Sequence, residues 1–436
     1  METKQQTVHP VDEMLPLGQL FAYGMQHVLA MYAGAVAVPL ILSQAMGLSV
    51  EQLIYLINAD LFVCGVATLI QTLGIGNIGA RIPMIQGVTF AAVSPMILIG
   101  TNHGMQGIYG AIIVAGLITF LSAPYFSKLI RFFPPVVTGT IITTIGITLM
   151  PVAVRWAGGG NPSAADFASL DKLALAAFTM ICVVVLYRSF TGFLSNISVL
   201  LALVLGTIVA YAFGYVHFDE VLKADWIGFT TPFTFGFPIF ELGPIISMVI
   251  VMLVCMTETT GDCIAIGEIV EKEIGEKELA QCLRADGLST VLGGIFNSFP
   301  YTAFAQNVGL IGLTRVKSRF VVAASGVILI LLGLFPKMAA VIACIPSCVL
   351  GGAGIAMFGM IAASGIRTLS KVEFDGNYNM MIIGLSLGIG TITLAVPDFY
   401  KHFPEWAQII FHSGITAGSV TAIVLNFLLN ETIKEK

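Results

Sequence analysis

Long runs of apolar residues, broken at short intervals by one or two polar positions, dominate the chain. Runs such as 199–211, 245–256, 320–334 and 380–395 are almost uninterrupted, and a helix needs about 20 residues to cross the hydrocarbon of a bilayer. Read against their breaks, the runs predict spanning segments at 17–42, 52–73, 84–100, 107–126, 132–153, 173–190, 195–215, 238–266, 279–297, 301–313, 318–335, 338–364, 377–396 and 405–430. The longest polar connections, 157–172 and 217–231, are too short for a separate soluble domain. The expected fold is therefore an all-α polytopic membrane protein, one embedded unit of fourteen segments over 1–436.

Two segments differ from the rest. The third, RIPMIQGVTFAAVSPMILIG (81–100), and the tenth, SFPYTAFAQNVGLIGLTR (298–315), are short and rich in turn residues. Each carries a proline near its start, Pro83 or Pro300, then about five residues that can run extended, then a short helix from near Phe90 or Gln306. They stand seven segments apart, and an odd offset places them in opposite orientations across the bilayer. Broken segments at corresponding positions of two inverted repeats point to a transporter's binding site. Non-helical backbone at that depth survives only where protein or a polar cavity satisfies it. The half-helix N-termini would offer free N–H groups and a partial positive charge to whatever lies between them.

Composition sharpens the class. Of 436 residues 57% are hydrophobic and only 10% charged, against roughly 25% charged in soluble domains. The net charge of −5 says little about partners when most of the surface faces lipid. Its distribution says more. With a cytoplasmic N-terminus, fifteen basic residues fall inside: Lys4, Arg81, Lys128, Arg131, Arg188, Lys272, Lys277, Arg284, Arg315, Lys317, Arg319, Arg367, Lys371, Lys434 and Lys436. Five fall outside: Arg155, Lys172, Lys223, Lys337 and Lys401. That asymmetry predicts both termini in the cytoplasm. The polar start, 1–16, does not have the form of a cleaved signal. The seven cysteines lie in or beside apolar segments without metal or disulfide spacing, and read as small buried hydrophobes.

Polar residues inside the segments carry the candidate chemistry. In MTETTGDCIAIGE (256–268), Glu258 and Asp262 are four apart and share a helix face. Asp286 in LRADGLS and Asp60 in INADLF are further intramembrane acids. A charge at mid-bilayer costs roughly 2.5–3.5 kcal/mol on insertion scales, so such residues face an interior or a cavity. Paired acids suit proton coupling, whereas Asp60, with no patterned neighbour, reads as structural glue between helices. In the first segment, Gln26 and His27 stand together in an apolar helix, and the histidine gains weight only from its company.

These residues converge on a family. QNVGLIGLTR (306–315) resembles the Gln/Glu-Asn-x-Gly-x-x-x-x-Thr-Arg signature of the nucleobase–ascorbate transporters, and is joined by Gln26–His27, the Glu258/Asp262 pair and Asp286. The resemblance covers essentially the whole chain. It implies two inverted repeats of seven segments, with short antiparallel strands in segments 3 and 10. It further implies a core domain at about 17–126 and 238–335, and a gate domain at about 132–215 and 338–430 that mediates homodimerisation. Carried onto matching positions, Glu258 and Gln306 bind a base through their side chains, Phe90 and Ala305 through or near backbone N–H groups, and Asn307 braces the site. Asp262, Asp286, His27 and Gln26 organise it and its proton coupling. Uracil-type members of the family tend to have Glu at position 306 and His at position 262, so the xanthine/urate branch fits better. Thr89 sits where purine selectivity is set and is more similar to urate users.

The expected function is import of urate or xanthine with protons, by alternating access in the cell (inner) membrane, with no cofactor other than the coupling proton and no nucleic-acid partner. The alternatives are a uracil-type symporter, and an anion exchanger or channel of the same fold, since fold does not fix function. An enzyme is disfavoured: the sequence has no nucleophile–base constellation, metal cluster or phosphate loop, and His9 and His103 fall at water-facing positions.

Overall fold

The computed structural model describes residues 9–126, 133–375 and 377–431. Lys4, Lys128, Arg131, Lys434 and Lys436, counted above among the inside charges, lie outside the described residues, as does position 132. Seventeen α-helices are present among the described residues. They are α1 (Leu17–Met46), α2 (Val50–Leu73), α3 (Val93–Ser122), α4 (Pro135–Ala157), α5 (Leu170–Ser189), α6 (Phe193–Asn196), α7 (Ser198–Ala212), α8 (Asp219–Lys223) and α9 (Leu242–Val270) in the first part. There follow α10 (Glu276–Ile295), α11 (Ala305–Thr314), α12 (Arg319–Gly333), α13 (Pro336–Ala343), α14 (Ser347–Leu369), α15 (Asn379–Ala395), α16 (Glu405–Phe411) and α17 (Gly414–Asn426). Two strands, β1 (Gln86–Val88) and β2 (Tyr301–Ala303), pair with each other.

Seven helical stretches among the described residues are long and apolar enough to cross a bilayer, including α1, α2, α4, α5, α9 and α14. The chain stops and starts them with local signals. Gly47, at φ 64°, ends α1 in the left-handed conformation, where glycine carries no Cβ penalty. Two residues on, Ser49 and Gln52 form a reciprocal capping box that opens α2. The expected break near residue 104 is a kink rather than a gap: Gly104, at φ 69°, bends α3, so the second half of the third segment and the fourth run on as one bent helix.

The expected single segment 338–364 is corrected. α13 stops at Ala343, Pro346 caps a new helix, and α14 runs from Ser347. A proline fixes φ and lacks an N–H, so it suits a helix start and not its interior. α12 and α13 meet at a bend of 80°. The expected segment 405–430 is likewise divided into α16 and α17, with Ser413 capping the second through Thr416 N–H.

Helix packing falls into matched pairs. α2 packs on α12 and α10 on α3; α1 packs on α12 and α9 on α3; α5 packs on α7 and α15 on α17; α4 packs on α14. Small residues set the closest of these contacts, as expected where lipid removes the hydrophobic drive between helices. A Cβ on Gly65 would strike the Gly326 carbonyl, and one on Gly116 would meet the Gly287 carbonyl at 2.9 Å. At one end, ion pairs join Asp12 to Arg319 at 2.6 Å and Glu271 to Lys317 at 2.7 Å. The Lys317 ammonium holds the Glu271 carboxyl below the usual carboxylate range. The seven cysteines are unpaired, and all but Cys182 and Cys344 are buried.

Gly65→Leu is expected to lower the melting temperature of the detergent-solubilised protein, since overpacking a close contact costs about 1–3 kcal/mol. Gly384→Leu, on an exposed position of α15 where an added Cβ meets nothing within 4 Å, is expected to be near neutral. Equal effects of the two substitutions would show that the α2–α12 contact does not depend on its glycine.

Candidate functional site

The two broken segments meet. β1 and β2 are antiparallel, with Gln86 opposite Ala303, Gly87 opposite Thr302 and Val88 opposite Tyr301. The pairing continues into the flanks, where Thr89 N–H donates to the Pro300 carbonyl at 3.0 Å and Phe304 N–H to the Ile85 carbonyl at 3.1 Å. Gly87 is required here, because a Cβ would drive into the ring of Phe304.

A two-stranded ribbon leaves half of its backbone groups facing outward, and a buried donor without a partner costs about 1–3 kcal/mol. Threonine hydroxyls from three helices supply the partners. Thr68 of α2 accepts from Gln86 N–H at 3.1 Å, Thr290 of α10 from Tyr301 N–H at 3.1 Å, and Thr259 of α9 from Ala303 N–H at 3.1 Å. Thr259 also shares a proton with the Thr302 hydroxyl at 2.9 Å, and Cys64 donates to the Gln86 carbonyl at 3.4 Å. Sequence reading passed over all of these residues. Their signal is slight: in each of GVATLIQT, TETTGD and GLSTVL the threonine concerned is one of two or three hydroxyl residues, with nothing local to single it out.

Beyond the strands the chain turns into helix on both sides. Thr89 accepts from Ala91 N–H at 3.1 Å and starts a short 3-10 turn, Phe90–Ala92, which leads into α3. On the other side α11 begins at Ala305 with Phe304 at its N-cap and no side-chain cap; Asn307 N–H donates to the Phe304 carbonyl at 3.0 Å, which leaves the N–H groups of Ala305 and Gln306 to meet a ligand. The structure thus places the half-helix starts within a residue of Phe90 and Gln306, with Phe90 and Ala305 as their first positions.

The remaining candidates surround these two starts. Gln306 and Ala305 are exposed at the mouth of α11, and Glu258 and Asp262 are half-buried on α9. Phe90 is half-buried, its ring edge-on to Phe358 with centroids 6.0 Å apart. Thr89 is buried and receives the Cys255 thiol at 3.4 Å, which ties it to the turn of α9 preceding Glu258. Asn307 is buried and its amide nitrogen lies 3.0 Å from both Nδ1 and the carbonyl of His27, fixing α11 to α1. Gln26 is half-buried, with Oε1 buried and unpartnered. Asp286 is fully buried and accepts from the Gln86 amide at 2.9 Å. Asp262 lies one turn beyond Glu258 on the same face of α9. Asp60 sits apart from this group, behind β2, bonded to Ser298 and Tyr301.

Chemically, the arrangement offers a carboxylate that accepts, an amide that both donates and accepts, and free backbone N–H groups, with an aromatic ring alongside. Such a set suits a flat, polar, uncharged or weakly acidic molecule rather than a metal ion, and no metal-type cluster of His, Cys, Asp and Glu occurs among the described residues.

A bundle of apolar helices with a polar site between two half-helix N-termini defines a secondary transporter of the membrane. Residues 18–399 match the Permease family. The chain is 48% identical to the xanthine permease of Bacillus subtilis, over 96% of this chain and 95% of that protein. It is 45% identical to the uric acid transporter UacT of Escherichia coli, over 96% and 88%, and 47% identical to the uric acid permease PucK of Bacillus subtilis, over 94% and 95%. The chain belongs to this family of nucleobase–ascorbate transporters, in the branch of xanthine and uric acid permeases, and is a multi-pass membrane permease rather than an enzyme. Among solved structures it resembles the transmembrane domain of the cyanobacterial bicarbonate transporter BicA, with TM-score 0.59 and 15% identity over 96% of this chain and 99% of that one. It also resembles the murine anion transporter Slc26a9 in its inward-facing state, with TM-score 0.58 and 12% identity over 96% and 69%. These two likenesses concern the fold alone.

Thr259→Val is expected to leave the Ala303 N–H and the Thr302 hydroxyl unpaired at the ribbon edge, destabilising the protein by about 1–3 kcal/mol. Thr259→Ser keeps the acceptor and is expected to retain most of the stability, and thermal melting of the two purified variants separates hydroxyl capping from simple packing.

Proposed function

We propose that the protein imports urate or xanthine, or both, together with protons, by alternating access across the cell (inner) membrane. One observation carries this reading: Gln306 lies exposed at the start of α11 and Glu258 lies on α9, which packs against α11, in a chain 44–48% identical to relatives named xanthine permease and uric acid permease. An oxidised purine presents ring N–H donors and C=O acceptors in alternation. A carboxylate at Glu258 accepts from the ring N–H groups, the Gln306 amide pairs with a donor and an acceptor, and the backbone N–H groups near Phe90 and Ala305 meet carbonyls. Thr89, bonded to Cys255 beside the strand crossing, supports the urate side of the choice. Asp262, Asp286, Asn307, His27 and Gln26 organise the site, and the paired acids Glu258 and Asp262 provide the linkage between proton and substrate binding that symport requires.

The topology that goes with this function has fourteen crossings in two inverted repeats of seven, with both termini cytoplasmic. The matched helix pairs support it, since α2 with α12 and α10 with α3 exchange places when each segment is advanced by seven, as do α1 with α12 and α9 with α3. The same pairings group segments 1–4 with 8–11 and segments 5–7 with 12–14, which supports a core domain at about 17–126 and 238–335 moving against a gate domain at about 132–215 and 338–430. Two gate domains joined face to face make a homodimer.

The alternative of an anion exchanger on the same fold is judged by the charges beside the half-helix starts, since fold does not fix function. Anion sites rely on cations or helix dipoles, and the acids Glu258, Asp262 and Asp286 beside the half-helix starts favour the symporter.

Cells expressing the protein are expected to take up labelled xanthine or urate, to lose uptake when a protonophore collapses the proton gradient, and to lose about tenfold to a hundredfold of affinity on Glu258→Gln, the span of one charge-assisted hydrogen bond. Uptake that survives full collapse of the gradient would remove proton symport, and uracil as the best competitor would remove the purine assignment.

A further inference from the structure

The two buried acids Asp60 and Asp286 perform the same task for opposite strands. Gln86, the first residue of β1, reaches across to Asp286 on α10, donating to Oδ1 at 2.9 Å. Tyr301, the first residue of β2, reaches across to Asp60 on α2, its hydroxyl donating to Oδ1 at 2.8 Å. The backbone N–H of each of these first residues is meanwhile held by a threonine: Gln86 by Thr68 on α2, Tyr301 by Thr290 on α10. Each strand is therefore gripped at its first residue by both helices, through its backbone on one and its side chain on the other. Asp286 lies one turn before Thr290 and Asp60 two turns before Thr68, all on one helix face. The longer tyrosine covers the extra turn that Gln86 does not need to reach.

The clasp at Asp60 is the more elaborate. Its Oδ1 also accepts from the Ser298 hydroxyl at 3.2 Å, Ser298 and Tyr301 hydroxyls are 2.6 Å apart, and the Asp60 carbonyl lies 3.1 Å from the Tyr301 hydroxyl. All three side chains are fully or almost fully buried. In both acids Oδ2 is buried and unpartnered, so each tie is made through Oδ1 alone. Asp60 is separated from Gln306 by the strand itself: Tyr301 leads through Ala303 and Phe304 directly into the free N-terminus of α11.

We propose that Asp60 is a positioning residue of the transport site, the counterpart of Asp286, which sets β2 and hence the start of α11 through the hydroxyls of Tyr301 and Ser298. It does not touch the substrate. This rests on the purine-permease reading for its affinity readout but not for its geometric one.

The test uses the full chain, with binding of labelled xanthine and urate to purified protein measured beside membrane abundance for Asp60→Ala, Asp60→Asn, Tyr301→Phe and the Asp60→Ala/Tyr301→Phe pair. Asp60→Ala and Tyr301→Phe are each expected to weaken binding about tenfold, the pair no more than the worse single change, because both remove one interaction. Asp60→Asn keeps an acceptor oxygen and is expected to stay within about threefold of wild type. A second readout needs no substrate: with Cys182 and Cys344 replaced by alanine, maleimide labelling of Gln306→Cys is expected to change at least about threefold in rate when Asp60→Ala is added, and to return with Asp60→Asn. Variants that lose abundance but keep wild-type affinity and labelling rate, or single changes whose effects simply add, would overturn the proposal. If Asp60→Ala does not accumulate, Tyr301→Phe and Asp60→Asn decide by the same two readouts. Wild-type protein that binds neither purine would overturn the functional reading, and the labelling rates would still judge Asp60.

Discussion

Six residues of extended backbone in the middle of a helical membrane protein carry donors and acceptors that lipid cannot satisfy, and the rest of the site follows from how they are paired. Two strands of three residues bond to each other on their inner edges. Their outer edges fall to Thr68, Thr259 and Thr290, one hydroxyl from each of three long helices. Each unpaired group would cost about as much as a whole hydrogen bond, so the helices cannot drift from the strands without a penalty. That requirement turns two interrupted segments into a rigid crossing.

Rigidity at the crossing has a chemical purpose. The strands end where half-helices begin, and a helix start that uses no side-chain cap leaves its N–H groups free for a ligand. Gln306 lies on α11 and Glu258 on α9, two helices that pack together, while Asn307 is anchored to His27 on α1. Recognition of a flat heterocycle needs donors and acceptors fixed to within a few tenths of an ångström, and fixed elements supply that better than loops. Close glycine contacts such as Gly65 on Gly326 and Gly116 on Gly287 hold the surrounding helices near enough for the hydroxyls to reach.

Much of this was legible in the chain. The apolar runs located the helices to within a few residues because a bilayer imposes one length on every crossing, and the prolines and glycines of 81–100 and 298–315 marked the two interruptions. Helix starts near Phe90 and Gln306 came from the same reading. Boundaries differed at Pro346 and near Ser413, where an apolar run continues through a helix end, and at Gly104, where an expected gap is a kink; hydropathy records composition and is blind to a change of direction.

Sequence alone determined the membrane class, most of the helix positions and the family, and it singled out Glu258, Gln306, Asn307, His27 and Asp286 as candidates, because each is a costly polar residue in an apolar background and stands out locally. The pairing of Gln86 with Asp286 and of Tyr301 with Asp60, and the threonines that hold the strand edges, were decided only by the tertiary structure. The two side-chain pairs join residues 200 and 241 apart in the chain, and the threonines, nearer in sequence, are ordinary residue types whose hydroxyls acquire meaning only when a buried backbone group faces them.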